Sequence, residues 1–453
     1  MFRLLGALVN AWHIPELRRK LLFTLAILAV YEVGIFVPVP GVDGNRLSEI
    51  FKAFASTSGG GLLNLLDMFT GSALSHATVF ALGIMPYISA TIIVETLLAT
   101  AIPSLEKLRK EGMAGYRKLH QYSRYATVVL AVVNSFMYAL LLEKGIPAQF
   151  HVQIVLFPGL GFRLLTVLTM TAGMAFVMWL AEQITERGIG NGMSLLMTAS
   201  IVGRIPLAIR DAFVAMGPGG INQSPLAPLK VAFMGGLLVL IVLIVIFVEQ
   251  GQRRIPVQYA RRVVGRKVYG GQSTYLPLKV NSGGVLPIIF AVSLLYFPIQ
   301  LAGFVPQLHG LMDWFSRTSL IFNVLYAILI LFFTYFSTAL TANQFLEAAD
   351  QMKKVGAFIP GIRPGQSTVE YLDGILTRVT FVAAIYLVTI AILPDIIMAW
   401  MKIPPRVAGF FGGTSLLIVI GVTLDTMKQI ESHLLMRHYE GFFKSSPLKS
   451  RTG

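Results

Sequence analysis

The residue types that carry covalent chemistry are arranged for none of it in this chain. Cysteine is absent, which removes thiol nucleophiles, disulfides and thiolate-held metals. No HExxH, no GxSxG and no GxxxxGK ahead of Ser or Thr occurs, and the seven His residues form no pair at metal-ligand spacing, so the hydrolytic, metal and phosphate-binding templates find nothing to hold. Ser282, beside Gly283, is a nucleophile on paper for an intramembrane protease, but the histidines fall mostly in or near loops. The sequence predicts no catalytic residue, no metal and no cofactor.

Charge at membrane depth is the next chemistry to look for, because an ionisable group there is costly and marks an ion or proton site. The apolar runs carry few: Glu32, Glu95 and Asp425, of which only Glu32 stands away from a run's end. An ion-coupled secondary transporter of a small solute is the structural rival this leaves weak but open. What the runs offer instead is bulk. Ile84, Ile88 and Ile92 lie four apart, as do Met193 and Met197, so each set shares one helical face. Such stripes ordinarily pack a core; a narrow ring of them would also seal a channel by dewetting.

Positive charge is concentrated in two loops. QRRIPVQYARRVVGRKVYGGQSTYLPLKV holds Arg253, Arg254, Arg261, Arg262, Arg266 and Lys267 and alternates around Gly270 and Gly271 as a hairpin would. ADQMKKVGAFIPGIRPGQST sets Arg363 in a turn stiffened by Pro360 and Pro364. A cytoplasmic excess of Lys and Arg explains scattered charge near span ends. Long, Gly- and Pro-punctuated loops point further, to docking surfaces.

These residues need a frame, and composition supplies one. Of 453 residues 55% are hydrophobic and 13% charged, with mean hydropathy +0.71, too apolar for one soluble core. Ten apolar runs fall between Leu21 and Leu424, among them 126–142, 164–181, 231–248 and 319–340, each long enough for a hydrocarbon core of about 30 Å. They are apolar on every face, unlike barrel strands. The fold class is therefore an all-α polytopic membrane protein, with ten transmembrane helices in two inverted five-helix halves, since five spans return the second half in the opposite direction.

The first run follows Arg18, Arg19 and Lys20 with no cleavage site and reads as a retained span. Both termini then lie in the cytoplasm with most of the 37 Lys and Arg. The expected layout is a cytoplasmic amphipathic N-terminus over 1–20, an N-terminal half over 21–210, a C-terminal half over 211–426 with basic loops at about 250–282 and 344–376, and a cytoplasmic tail over 427–453. Leu4, Leu5, Leu8 and Trp12 suit either an interfacial helix or a lead-in. Residues 41–61 read as an external loop. The segment 62–77, LLNLLDMFTGSALSHA, is too interrupted to span and too apolar for a solvated loop, which fits a half-inserted helix. In the span Thr78–Ala101, Pro86 removes a helical hydrogen bond and frees backbone. The loop ERGIGNG, residues 186–192, is either a hinge or plain turn chemistry.

In FALGIMPYISATI (80–92), MWLAEQITERGIGNGMS (178–194), VEQGQRRIPVQYARR (248–262), QSTYLPLKVN (272–281), GAFIPGIRPGQST (356–368) and FGGTSLLIVIGV (411–422) the chain resembles the SecY family of protein-conducting channels, almost end to end. The resemblance implies a central pore between two halves hinged at the loop between spans five and six, in the cell inner membrane. Unfolded secretory polypeptides pass through the pore and membrane spans leave sideways into lipid. By position it implies a pore ring of Ile84, Ile88, Met193, Met197, Ile289 and Ile418. It implies a plug near 62–76 including Leu62, Leu65, Leu66, Asp67, Met68, Phe69 and Gly71, and a lateral gate with Thr91, Ile92 and Glu95. Where the family usually has isoleucine at ring positions, two methionines here adapt their shape more readily. The implied partners are the small membrane subunits SecE and SecG, the motor ATPase SecA, the ribosome, signal peptides and nascent chains, and membrane lipid. SecA and the ribosome would dock on Arg253, Arg254, Arg261, Arg262, Arg266, Lys267 and Arg363, whose charge suits RNA phosphate and acidic protein surfaces.

Overall fold

A computed structural model describes residues 12–55, 67, 69–144, 155–216, 227–259, 262–264, 267–269, 273–302, 319–354, 356–363, 365–400 and 413–445. Its backbone polar groups go mostly into helices, which satisfy them within one segment as hydrocarbon requires. Five described helices are long and apolar enough to cross a membrane, over Met113–Glu143, Leu160–Arg187, Ala232–Gln250, Leu320–Ala339 and Gln366–Pro394, and shorter apolar helices lie at Met85–Ala101, Gly192–Leu207 and Leu286–Leu295.

The chain divides into two compact units, one of Met1–Asp211 with Val422–Gly453, the other of Ala212–Gly421. In the first unit the order is α1 (Pro15–Gly34), α2 (Gly44–Ala55), α3 (Met85–Thr91), which runs on through a π-helical stretch Ile92–Leu98 to Ala99–Ala101, α4 (Pro103–Lys110), α5 (Met113–Lys144), α6 (Leu160–Arg187), α7 (Gly192–Gly203) and α8 (Ile205–Met216), whose residues from Ala212 on fall in the second unit. Tyr31 of α1 joins this unit's core twice. Its ring stacks on Phe80 with centroids 5.8 Å apart, and its hydroxyl meets that of Ser200 on α7 at 2.8 Å.

The second unit holds α9 (Ala227–Gln250), β1 (Gln252–Tyr259), β2 (Arg262–Val264), β3 (Lys267–Tyr269), β4 (Ser273–Lys279), α10 (Leu286–Ala302), α11 (Leu320–Lys354), β5 (Ala357–Phe358) and α12 (Gln366–Trp400). The start of α13 (Gly413–Ser445) belongs to it as well. Large apolar side chains such as Leu243 and Phe247 stand outward on α9, as expected of a helix whose surroundings are as apolar as its interior.

Four expectations need correction. Residues 41–61 are not all loop: α2 forms there, burying Leu47, Ile50 and Phe51 on one face. Pro86 does not interrupt a span, because residues 78–84 are turns and a bridge and the helix begins at Met85. In the first helical turn proline's missing N–H costs nothing. The short pairing in the basic loop turns between Val264 and Lys267 rather than around Gly270 and Gly271, which lie outside the described residues. The first helix starts at Pro15, ahead of the predicted Leu21; Leu4, Leu5 and Leu8 lie outside the described residues.

Candidate functional site

The segment 67–101 carries most of the predicted pore chemistry and is built from irregular turns leading into α3. Where it departs from helix, its backbone bonds are made within its own turns and with the residues that follow α1: Val39 N–H donates to Ala77 O and Val79 N–H to Val37 O, both at 2.9 Å. Ile84 caps α3, the Ile88 N–H bonds its carbonyl at 3.1 Å, and Ile92 N–H reaches Ile88 O. The stripe Ile84, Ile88 and Ile92 is therefore real helical register, and all three side chains are buried. Thr91 is half-buried and returns its hydroxyl to Tyr87 O at 2.9 Å.

At Ile92 the helix widens into π geometry, a form that occurs mostly as short stretches and often at functional sites. Glu95 sits inside it. Its Oε1 lies 2.9 Å from His120 Nδ1 and accepts from the Ser123 hydroxyl at 3.0 Å, both on α5. The other ring nitrogen of His120 is 3.5 Å from Glu182 Oε1 on α6, which in turn accepts from Arg124 Nε at 2.6 Å. Tyr87 closes the set, its hydroxyl 3.4 Å from Glu182 and 3.3 Å from His120 Nε2. One imidazole thus bridges two carboxylates, and three helices are tied by a polar cluster in an otherwise apolar unit.

Of the predicted plug residues, Leu62, Leu65, Leu66 and Met68 lie outside the described residues. Asp67 and Phe69 are buried. Gly71 has φ +67°, and a Cβ there would meet Ile35 Cδ1 at 2.9 Å and Ser200 Cα at 3.5 Å, so both conformation and proximity to α7 call for glycine. Ser72 also adopts positive φ, +71°. Asp67 Oδ1 accepts the Ser75 N–H at 2.8 Å, and Arg204, between α7 and α8, approaches the other carboxylate oxygen at 3.0 Å.

Met193 is half-buried and Met197 buried on α7. The loop before them is pinned rather than slack. Ile189 N–H donates to Thr24 Oγ1 at 3.1 Å, Gly190 N–H to Gln429 Oε1 at 2.7 Å, Gly192 N–H to Thr185 Oγ1 at 2.9 Å, and Asn191 caps α7 through Ser194 N–H at 3.2 Å. These bonds anchor the turn in this conformation. Ile289 on α10 and Ile418 on α13 are buried in the second unit.

The basic loops of the second unit meet in one sheet of order β4-β1-β5, so the loop after α11 adds a strand to the loop after α9. Ile255 and Val257 of β1 point inward and pack with Leu278, Ala357, Ile359, Leu372 and Ile375, while Arg253 and Arg254 are exposed. Asn281 Nδ2 fastens the sheet's end to Glu249 at 2.6 Å. Arg363 is exposed, yet its backbone is fixed: buried Thr368 donates its hydroxyl to the Arg363 carbonyl at 2.9 Å. Arg262 and Lys267 stand in the paired strands β2 and β3; Arg261 and Arg266 lie outside the described residues.

A family model described as SecY matches residues 78–427. The chain belongs to the SecY family. The protein translocase subunit SecY of Mycobacterium bovis is 44% identical over 459 residues, covering 97% of this chain and 100% of that one. That of Thermotoga maritima is 41% identical over 449 residues, covering 98% and 99%. Among solved structures, a SecY channel whose plug domain stabilises its closed state and maintains a membrane seal is similar with TM-score 0.57 at 16% identity, covering 91% of both chains. A protein-conducting channel is similar with TM-score 0.55 at 16% identity over the same shares, which bears on the fold.

The partners of the isolated charges carry little local pattern in the sequence. Asp67 and Arg204 are opposite lone charges beside apolar stretches, and such charges are themselves a signal to seek a pair. His120, Arg124 and Glu182 sit where polar residues enter apolar helices. Thr368 carried no signal in the sequence.

Proposed function

We infer that this chain is the channel subunit through which unfolded secretory polypeptides cross the cytoplasmic membrane and from which membrane spans pass sideways into lipid. The observation that carries the reading is its SecY family membership over residues 78–427. It acts without an active site; SecA or the ribosome supplies the driving force, and SecE and SecG complete the membrane complex. Ten spans cross the membrane with both termini in the cytoplasm.

Ile84, Ile88, Met193, Met197, Ile289 and Ile418 form the constriction, apolar side chains that exclude water and ions yet yield to a wide, chemically varied substrate. The buried helical register of Ile84 and Ile88 supports this. The segment around Asp67, Phe69 and Gly71, with Leu62, Leu65, Leu66 and Met68, is the plug. Thr91, Ile92 and Glu95 belong to the lateral gate, a reading supported by the π-helical stretch there, a form frequent at functional sites. Arg253, Arg254, Arg261, Arg262, Arg266, Lys267 and Arg363 form the docking face, supported by exposed arginines on a sheet whose inner face is packed. A signal sequence acts by binding the open state better than the closed one, so the population shifts toward opening.

The test is reconstitution in liposomes with SecE and SecG, followed by SecA, ATP and a signal-bearing precursor. Protease protection of the precursor that requires ATP and the signal sequence is expected. No protection with a competent motor and precursor overturns the channel reading, and solute uptake that depends on Glu32 or Glu95 would put a transporter in its place.

A further inference from the structure

The ion pair between Arg204 and Asp67 joins residues 137 apart in sequence and places two unlike charges in an apolar unit. One guanidinium nitrogen, Nη1, donates both to Asp67 Oδ2 at 3.0 Å and to the Asp67 carbonyl oxygen at 3.1 Å. Only 19% of the Arg204 side chain and 8% of the Asp67 side chain is exposed. Asp67 is also where the segment is tied together. Its carbonyl accepts the Ser72 N–H at 2.8 Å and the Thr70 hydroxyl at 3.2 Å, and its Oδ1 accepts the Ser75 N–H at 2.8 Å. Arg204 therefore holds the residue on which the fold of 67–75 depends, close to where Gly71 abuts Ser200.

We propose that Arg204 is a positioning residue for the plug: its ion pair with Asp67 latches the segment against α7 in the resting channel and sets how readily that segment leaves. The proposal rests on the channel and plug reading above. Displacing the segment separates a guanidinium from a carboxylate where little water replaces either, and a low-dielectric site makes that separation costly. The apolar contacts of Phe69 and Leu74 resist displacement too, but they are indifferent to charge. The ion pair makes the resting state sensitive to each of two side chains.

The measurement is ion conductance of the resting complex in planar bilayers, alongside transport of precursors with intact and with defective signal sequences. Asp67→Asn keeps a carbonyl oxygen for the Ser75 N–H and replaces the oxygen that faces Arg204 by an uncharged NH2, which cannot accept from the guanidinium; Arg204→Gln removes the cation. Each is expected to raise the open-plug population about tenfold or more, because the attraction between the segment and Arg204 is lost, and each admits defective signals. The pair exchanged by Asp67→Arg with Arg204→Asp restores part of the seal, and Arg204→Lys falls between wild type and Arg204→Gln. ATP-driven transport of an intact precursor by the same preparations reports a folded channel. Should a single substitution prevent folding, the exchanged pair and Arg204→Lys decide by their conductance. Singles as tight as wild type, or leaks that simply add in the exchanged pair, overturn the latch. A wild-type channel that transports nothing overturns the underlying reading instead.

Discussion

Thr368→Val tests whether Arg363, proposed as a docking residue, works through its position as well as its charge. Thr368 lies in the first turn of α12, is 3% exposed, and donates its hydroxyl to the Arg363 carbonyl at 2.9 Å. Its own N–H bonds the Gly365 carbonyl at 3.0 Å, so the turn has a second tether. Valine keeps the branched shape and deletes the donor. Because Arg363 is at the surface, its carbonyl takes water once the bond is gone, and the loss is that of one net hydrogen bond, about 1 kcal/mol, rather than that of a stranded acceptor. Such a change corresponds to roughly a fivefold shift between the fixed turn and looser alternatives. In SecA-driven transport the concentration of SecA giving half-maximal rate is expected to rise about two- to fivefold while the plateau holds. Arg363→Glu is expected to impair the same step more deeply, with the protein still folded, since the side chain is exposed. An unchanged half-maximal concentration in Thr368→Val, or a lowered plateau without a shift, refutes the reasoning. Normal SecA-driven transport by Arg363→Glu removes Arg363 from the docking face.

Replacing Ile84 or Ile88 by Asn puts an amide among buried apolar side chains and is expected to leak ions or relax signal selectivity; unchanged conductance would dismiss the ring assignment. Gly192→Ala is expected to destabilise by at least about 2 kcal/mol, because its Cβ would stand 1.8 Å from the Ala181 carbonyl oxygen, a backbone atom that cannot swing aside. Thermal aggregation in detergent reads the effect. Gly235→Ala on α9 is the matched comparison: a Cβ there meets nothing within 4 Å, so stability is expected to hold or improve by up to about 1 kcal/mol, and equal damage by both substitutions would discredit the packing argument.

The helical membrane class was legible because it depends on local composition. Apolar runs of span length force hydrogen bonds inward wherever they lie, and the structure's long apolar helices follow those runs. The stripe of Ile84, Ile88 and Ile92 was legible for the same reason, since helical spacing alone puts the three on one face. Pro86 shows the limit of that logic: proline marks either a break or a beginning, and only the turns over 78–84, held by Val37 and Val39, make it a beginning. Residues 41–61 were misjudged because glycines at both ends outweighed the amphipathic stretch between them.

The glycine loop 186–192 illustrates what spacing cannot resolve. What holds it, the side chains of Thr24 and Gln429 that accept its N–H groups, comes from far away in the chain. The basic loops were recognised as surfaces by their charge, while their union in one sheet needed β5 to pair with β1, a contact no local pattern announces. The sequence by itself determined the solvent this chain requires, the spans that meet it and the family it resembles, since these follow from the chemistry of neighbouring residues. The tertiary structure decided which polar side chains meet, Asp67 with Arg204 and Glu95 with His120, because a polar group inside an apolar unit is stabilised by the partner that folding brings within about 3 Å.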